Sequence, residues 1–417
     1  MSKSNETTPN VPTLRFAEFA EQWEQKTFDE TFSILSNNTL SRAELNYENG
    51  NYKNIHYGDV LIKFSAFIDA SSPDVPYIND ENSSSKLDNI LLQDGDIIIA
   101  DTAEDFTVGK ATEVENVDEI KVVSGLHTIP CRPKIKFSPR YLGYYVNSPA
   151  YHNQLIPFIQ GVKVSSISKT LIKKTFVSFP SLSEQTKIAD FLSCLNKKIE
   201  VQNKIISDLK VLKKELMDYI LNTCDFIELS IKNLIDCGFA RIIKASEMKK
   251  FNGTRKYLST SSIGENGIEE VESIITYTDR PSRASMLPIK GSIWFAKMKN
   301  SVKVYQSTGD DENHYILSTG FYGLLCDETK VNSRWIIELF ESDYFNTQKD
   351  KFSEGSSMSG IKDSQLADIT LKVFSDKKQE IYHTNNIQNL SKKIQLEKDT
   401  LEMLLKQKQF FLNAMFI

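Results

Sequence analysis

SLSEQTKIADFLSCLNKKIEVQNKIISDLKVLKKELMDYIL, residues Ser181 to Leu221, carries apolar side chains on two interleaved seven-residue series. One series is Ile188, Leu195, Leu209 and Leu216; the other is Leu192, Ile199, Ile206 and Ile220. Alternating three- and four-residue steps put both on one narrow stripe of a helix, the pattern of a coiled coil. Gln202 and Lys213 interrupt the stripe, and the stretch contains neither Pro nor Gly.

The same text returns 195 residues later, Leu195 becoming Leu390 and LNKKI becoming LSKKI at Leu390–Ile394. The tail places Leu390, Leu404 and Phe411 on one series and Ile387, Ile394, Leu401 and Met415 on the other. Gln202 maps to Glu397 and Lys213 to Lys408. Start signals are also repeated, Ser181-x-x-Glu184 as a capping box and Asp376-x-x-Gln379 as a variant. Two matched seams in one chain satisfy each other if the helices pair, and a pseudo-twofold repeat makes that pairing antiparallel. The register expected sets Gln202 opposite Lys408 and Lys213 opposite Glu397, polar seam residues that lower stability and fix register.

The intervening segments repeat more weakly, at offsets of 194 to 196. Asp94-Gly95-Asp96-Ile97-Ile98-Ile99-Ala100 corresponds to Lys290-Gly291-Ser292-Ile293-Trp294-Phe295-Ala296. Arg140-Tyr141 corresponds to Arg334-Trp335, and Ser148 to Ser342. Phe158-x-x-Gly161-x-x-x-Ser165-x-Ile167 corresponds to Phe352-x-x-Gly355-x-x-x-Ser359-x-Ile361. Tyr57–Phe64 and Gly95–Ala100 read as strands, and Ser138–Ser148 as a short helix with its proline in the first turn. The organisation is thus an arm (1–22), a first globular head (23–180), a long helix (181–222), a second head (223–375) and a second long helix (376–417). The fold class expected is α+β, with two similar heads of mixed sheet and helices separated by an antiparallel coiled coil. Shared frames with divergent loops imply two binding heads with different targets.

Composition is that of an ordinary globular chain: 417 residues, 40% hydrophobic and 25% charged. No run of eighteen apolar residues occurs and the first residues are polar, so neither a membrane span nor a signal peptide is expected. Five scattered cysteines without a C-x-x-C pair indicate a reducing compartment, the cytoplasm. A net charge of −5 argues against coating nucleic acid by bulk charge, though not against a local basic face.

Enzyme motifs fail one by one. Asn147-Ser148-Pro149-Ala150 lacks the second Pro and the aromatic of a methyltransferase motif, and Gly109-Lys110-Ala111 lacks the first Gly and the hydroxyl of a phosphate loop. Glu119-Ile120-Lys121 has an E-x-K form that chance produces often. His56, His127, His152, His314 and His383 are dispersed, so no metal site is expected.

With its layout, the Glu184–Glu200 helix opening, LKKEL at Leu212–Leu216, KQFFLNAMF at Lys408–Phe416, the Gly-x-x-x-Ser-x-Ile closing each head and the N-terminal LRF…W, the chain resembles the specificity subunit of a type I restriction-modification system. The second helix opens as KKQEIYHTNNI, without EQ-x-x-I-A. The resemblance implies a non-catalytic subunit whose heads are target-recognition domains, each reading half of a bipartite, asymmetric site on double-stranded DNA. It implies helices that set the spacing and dock two modification (methyltransferase) subunits, with restriction subunits joining them. S-adenosylmethionine, ATP and Mg would then be bound by those partners and none by this chain. The rival reading is a duplicated coiled-coil scaffold without DNA specificity.

Reading DNA needs cations for phosphates and amides or hydroxyls for base edges. In the first head the candidates are Gln160, Gly161, Lys163, Ser165 and Ser168, with Lys53, Lys63, Lys110 and His127. The stretch Asp101–Asp105, matching a basic stretch of the second head, is acidic. There the candidates are Arg280, Arg283, Lys297, Lys299 and Asn300, with Gly355, Ser356, Ser357, Ser359 and Lys362. Docking candidates implied by the resemblance are Lys197, Lys198, Lys213, Lys214, Lys392 and Lys393.

Overall fold

A computed structural model describes residues 10–79, 85–117, 120–161, 164–264, 267–352 and 361–417. Two compact units divide the chain: residues up to Gln202 together with Leu401–Ile417, and residues Asn203–Thr400. Both are mixed α+β. The division cuts through each long helix, so the expected linear boundaries do not coincide with the compact units. No helix among the described residues is long and apolar enough to cross a membrane.

The long helices run Leu182–Thr223 and Lys377–Ala414. Every apolar seam residue named above is buried or half-buried. They pair antiparallel. In the first unit the opening of the first helix (Ile188, Ala189, Leu192) shares a core with the end of the second (Leu412, Met415, Phe416), and Phe191 meets Phe411 edge-on at 4.7 Å. In the second unit Met217, Ile220 and Leu221 share a core with Ile387.

The expected register does not hold at Lys213. Its ammonium lies 2.7 Å from Glu338 and 2.9 Å from Glu341, both on a helix of the second head, while Glu397 pairs with Lys393 one turn away. A head helix offering two carboxylates outcompetes a lone seam partner. The first capping box is not formed either, because both Glu184 oxygens accept from Arg15 at 2.7 Å. At the second start Asp376 does cap, accepting from the Lys378 N–H at 2.9 Å. Residues 10–22, expected as a flexible arm, are fastened: Leu14 N–H donates to the Ala414 carbonyl at 2.9 Å, and Phe16 packs edge-on against Phe191.

Each head opens and closes on one two-stranded ribbon. In the first, Glu24–Thr27 pairs antiparallel with Phe176–Phe179; in the second, Phe226–Ser230 pairs with Thr370–Phe374. The first head holds a five-stranded sheet in the order Phe32–Ile34, Thr128–Pro133, Ile97–Ala100, Ala111–Glu115, Phe67–Asp69, beside a smaller four-stranded sheet. In the second, Ile293–Ala296 lies between Phe321–Cys326 and Val304–Gln306, the corresponding arrangement. Both central strands, IIIA and IWFA, are buried at all four positions. A continuous apolar run is what a strand covered on both faces requires.

Tyr57–Phe64 is not a strand. Tyr57–Ile62 is helical, its start capped by His56 Nδ1 accepting from Gly58 N–H at 3.1 Å. Val60 and Phe64, four apart, are the buried pair, a helical spacing that the run VLIKF did not separate from an extended one. The helix read at Ser138–Ser148 spans Tyr141–Val146; it is Pro149 that occupies a first turn, in the helix Pro149–Leu155.

Glu113 carries a pH dependence. Its buried carboxylate accepts from the N–H groups of Arg140 (2.6 Å) and Gly143 (2.8 Å), and burial, outweighing those bonds, raises its pKa from 4.5 to about 7. A carboxyl raised on folding contributes stability that is whole below its unfolded value and is lost as pH rises through the folded one. Thermal melts from pH 5 to pH 8 should therefore show a loss on the order of 2–3 kcal/mol. Glu113→Gln should flatten that slope.

Candidate nucleic-acid interface

In the first head the central strand ends at Asp101, where three loops meet. Asp101 N–H donates to the His127 carbonyl at 3.0 Å, and Ile167 N–H donates to the Asp101 carbonyl at 2.9 Å. Thr102–Ala103 then pairs with Ser165–Ser166, and Gln160 bridges Ser166. His127 is half-exposed with φ 55°, its Nδ1 3.3 Å from Thr102 Oγ1 and 3.4 Å from Asp101 Oδ1. Tyr57 stands edge-on to the imidazole at 5.3 Å. Lys169 Nζ donates to Asn37 Oδ1 at 3.1 Å, and Asn37 in turn donates to the Gly125 carbonyl. Hydroxyl, amide, imidazole and carboxylate groups thus share one edge, donors and acceptors of the kind that read base edges.

The second head repeats the junction. Lys297 N–H donates to the Gly320 carbonyl at 2.8 Å, and Ile361 N–H donates to the Lys297 carbonyl at 3.0 Å. Asp101 and Lys297 are thus equivalent by backbone geometry. Their charges are opposite, and so are those of the next pair: Lys169 in the first head answers to Asp363, which binds Lys297 Nζ at 3.0 Å. One frame carries an acid followed by a base in one head and a base followed by an acid in the other.

Beyond Lys297 the loop is held from beneath. Lys349, fully buried, donates to the carbonyls of Met298 and Ser301, each at 2.8 Å. Asn300 takes φ 55°, its N–H on Asp350 Oδ1. Removing that ammonium orphans two carbonyls, at a cost of about 1–3 kcal/mol. Lys349→Met should accordingly speed amide hydrogen exchange in residues 297–303, while exchange in the first head stays unchanged.

Gln160, Ser165 and His127 of the sequence candidates gather at the first junction, and Lys297, Lys299, Asn300 and Lys362 at or beside the second. Arg283 accepts, through its carbonyl, from Thr319 N–H beside the same turn. Ser168 lies next to the first junction but caps a helix, accepting from Leu171 N–H. Gly161 adopts φ 110°, and a Cβ there would lie 1.9 Å from the Val164 carbonyl oxygen, so the close approach it permits is to its own loop. Lys163, Gly355, Ser356, Ser357 and Ser359 lie outside the described residues.

Three lysines face elsewhere. Lys53 is buried, donating to the carbonyls of Ala70, Ser71 and Ser72, and cannot meet a phosphate. Lys110 donates to the Leu61 carbonyl inside a cavity, and Lys63 binds the Tyr47 hydroxyl. Arg280 is taken by the carbonyls of Tyr277 and Ala284 and stacks on the Tyr277 ring. Asn37, Tyr57, Thr102, Lys169 and Asp363 were not foreseen as site residues; the 194-residue offset linking Lys169 to Asp363 was the available signal.

Of the helix lysines, Lys197, Lys198 and Lys392 are exposed, Lys214 pairs with Asp343, and Lys393 pairs with Glu397. Lys213 is turned inward. Exposed apolar residues off the seam, among them Val211, Leu212 and Tyr219 on the first helix and Leu405 and Phe410 on the second, are a stronger mark of a covered face.

Residues 20–211 match the family model for the type I restriction modification DNA specificity domain. A Methanocaldococcus jannaschii protein named as the MjaX specificity subunit of a type I restriction enzyme is 25% identical over 228 residues, 54% of this chain and 51% of that protein. The chain thus spans about half the length of that curated relative. Among solved structures, a type I restriction-modification S subunit from M. genitalium superposes with a TM-score of 0.54 at 12% identity, covering 98% of this chain and 99% of that one. A structure from work on assembly and conformational transition of the type I R-M system superposes at 0.55, also at 12% identity, covering 94% and 97%. Identity that low shows a shared fold, and the likeness in sequence to the type I specificity domain covers residues 20–211.

Proposed function

We propose that the chain is the DNA-reading, non-catalytic subunit of a type I restriction-modification complex, with each junction contacting one half of a bipartite, asymmetric site. The observation that carries this reading is the inverted charge order on one backbone frame, Asp101 and Lys169 against Lys297 and Asp363. Equal frames explain how both heads approach a duplex alike; unequal side chains explain why the halves differ. An acid at a groove edge accepts from the amino group of cytosine, whereas a lysine donates to guanine.

The two long helices set the spacing between the halves, and their exposed apolar faces dock two modification subunits, which restriction subunits then join. S-adenosylmethionine, ATP and Mg belong to those partners. Methylome sequencing of cells with and without this chain tests the reading: a two-part methylated sequence should vanish with the chain. Purified chain supplied with Mg alone should leave DNA uncut. An assembled complex that shifts all duplexes equally would instead favour the scaffold.

A further inference from the structure

The two units contain equivalent places where a head helix lies beside the long helix of the other repeat, and they are filled differently. In the second unit Lys213 sits between Glu338 and Glu341. Moving by 195 residues takes Lys213 to Lys408, and moving back by 194 takes Glu338 and Glu341 to Tyr144 and Asn147. Geometry supports the correspondence. Ser148 Oγ donates to the Tyr145 carbonyl and Ser342 Oγ to the Leu339 carbonyl, each at 2.6 Å. Tyr144 accepts from Asn196 of the first long helix as Glu338 accepts from Ser391 of the second, 195 residues on.

In the first unit Tyr144 and Asn147 stand where the second has Glu338 and Glu341. The Tyr144 hydroxyl is taken by Asn196 and Ser193, and the Asn147 amide by Ala111 and Gly143. Where the second head has Val304, the first has a second cation, Lys110. Lys110 and Lys408 line one cavity of about 400 Å³ with Phe64, Tyr144, His152 and a rim residue, Phe106, that is 78% exposed. Lys110 uses one proton on the Leu61 carbonyl at 2.8 Å, and Lys408 makes no ion pair among the described residues. Burial lowers both ammonium pKa values; the Lys408 charge lowers Lys110 further, and Glu200 partly offsets the burial of Lys408. Glu200 acts on Lys408 through space alone, so among the described residues neither cation has the directly bonded carboxylates that hold Lys213 in the other repeat.

We propose that this cavity is a carboxylate seat for an acidic segment of a protein partner, an Asp or Glu lying between Lys110 and Lys408 while a neighbouring apolar side chain covers Phe106. The second unit shows what this frame uses to hold its lysine. Because that seat is already occupied by Glu338 and Glu341, a partner engages the two repeats unequally, whatever sequence the heads read.

The test uses the full chain and a fluorescein-labelled Glu-Leu-Glu-Glu-Leu-Glu peptide, followed by anisotropy at low salt. One peptide should bind per chain. Lys408→Gln should weaken it about tenfold, the worth of a charge-assisted hydrogen bond, without lowering the melting temperature. Lys408→Arg should retain binding, and Lys392→Gln, an exposed lysine on the same helix, should leave it unchanged. Equal loss from Lys392→Gln would overturn the proposal as diffuse attraction. Displacement by random duplex DNA, or by inorganic phosphate, with the same dependence on Lys408 would overturn it in favour of a phosphate site.

Discussion

If the proposed function holds, replacing residues 23–180 with the corresponding head of a type I specificity subunit is expected to change one half of the methylated sequence and leave the other half as it was. The exchange is physically simple because the head enters and leaves on adjacent strands, Glu24 lying opposite Phe179. What the incoming head must supply is an apolar underside. Trp23, Tyr141 and Tyr145 pack around Phe416, with ring centroids at 6.5, 5.9 and 5.9 Å. A donor that keeps large apolar groups there should fold. Each mismatched base pair costs about 1–3 kcal/mol, so even two or three altered positions lower affinity for the old half by several orders of magnitude. Methylome sequencing checks the result; simultaneous change in both halves would show that the heads do not read independently.

Lys213→Met should be the most damaging single change on the long helices. Glu338 is nearly buried, and burial raises its pKa against the pull of Lys213. Without the ammonium the carboxylate is stranded beside Glu341, and removing one member of a buried pair costs about 3–5 kcal/mol. The sign of the pH effect follows. Losing the cation raises the folded-state pKa of Glu338 further, so the penalty is full at pH 8 and shrinks as the pH falls toward the ordinary carboxyl value, where both states are protonated. Thermal melts of the variant at pH 5 and pH 8 should diverge in that direction. Adding Glu338→Leu should recover most of the loss, because two apolar groups replace the pair. A single variant as stable as the parent chain would mean that the ion pair contributes nothing.

The long helices, their pairing and the central strands were legible in the residues alone, because a seven-residue repeat and a buried IIIA or IWFA run are periodic signals needing no tertiary knowledge. The junctions were partly legible: offsets of 194 to 196 aligned Gly161 with Gly355 and Ile97–Ala100 with Ile293–Ala296. What escaped was decided by distant partners. Nothing beside Lys53 in the chain announces that the carbonyls of Ala70, Ser71 and Ser72 will surround its ammonium. Nothing beside Glu184 announces that Arg15 will take it from its cap. Lys213 looked like a seam residue until a helix more than a hundred residues later brought two carboxylates to it.

The fastening of Thr13 and Leu14 to Ala414 joins residues 401 and 400 apart in the chain. The second unit is one uninterrupted segment, Asn203–Thr400, whereas the first needs residues made before and after that segment. A chain emerging from the ribosome therefore completes its second unit while the first still waits, with Trp23, Tyr141 and Tyr145 uncovered, for Met415 and Phe416 to arrive.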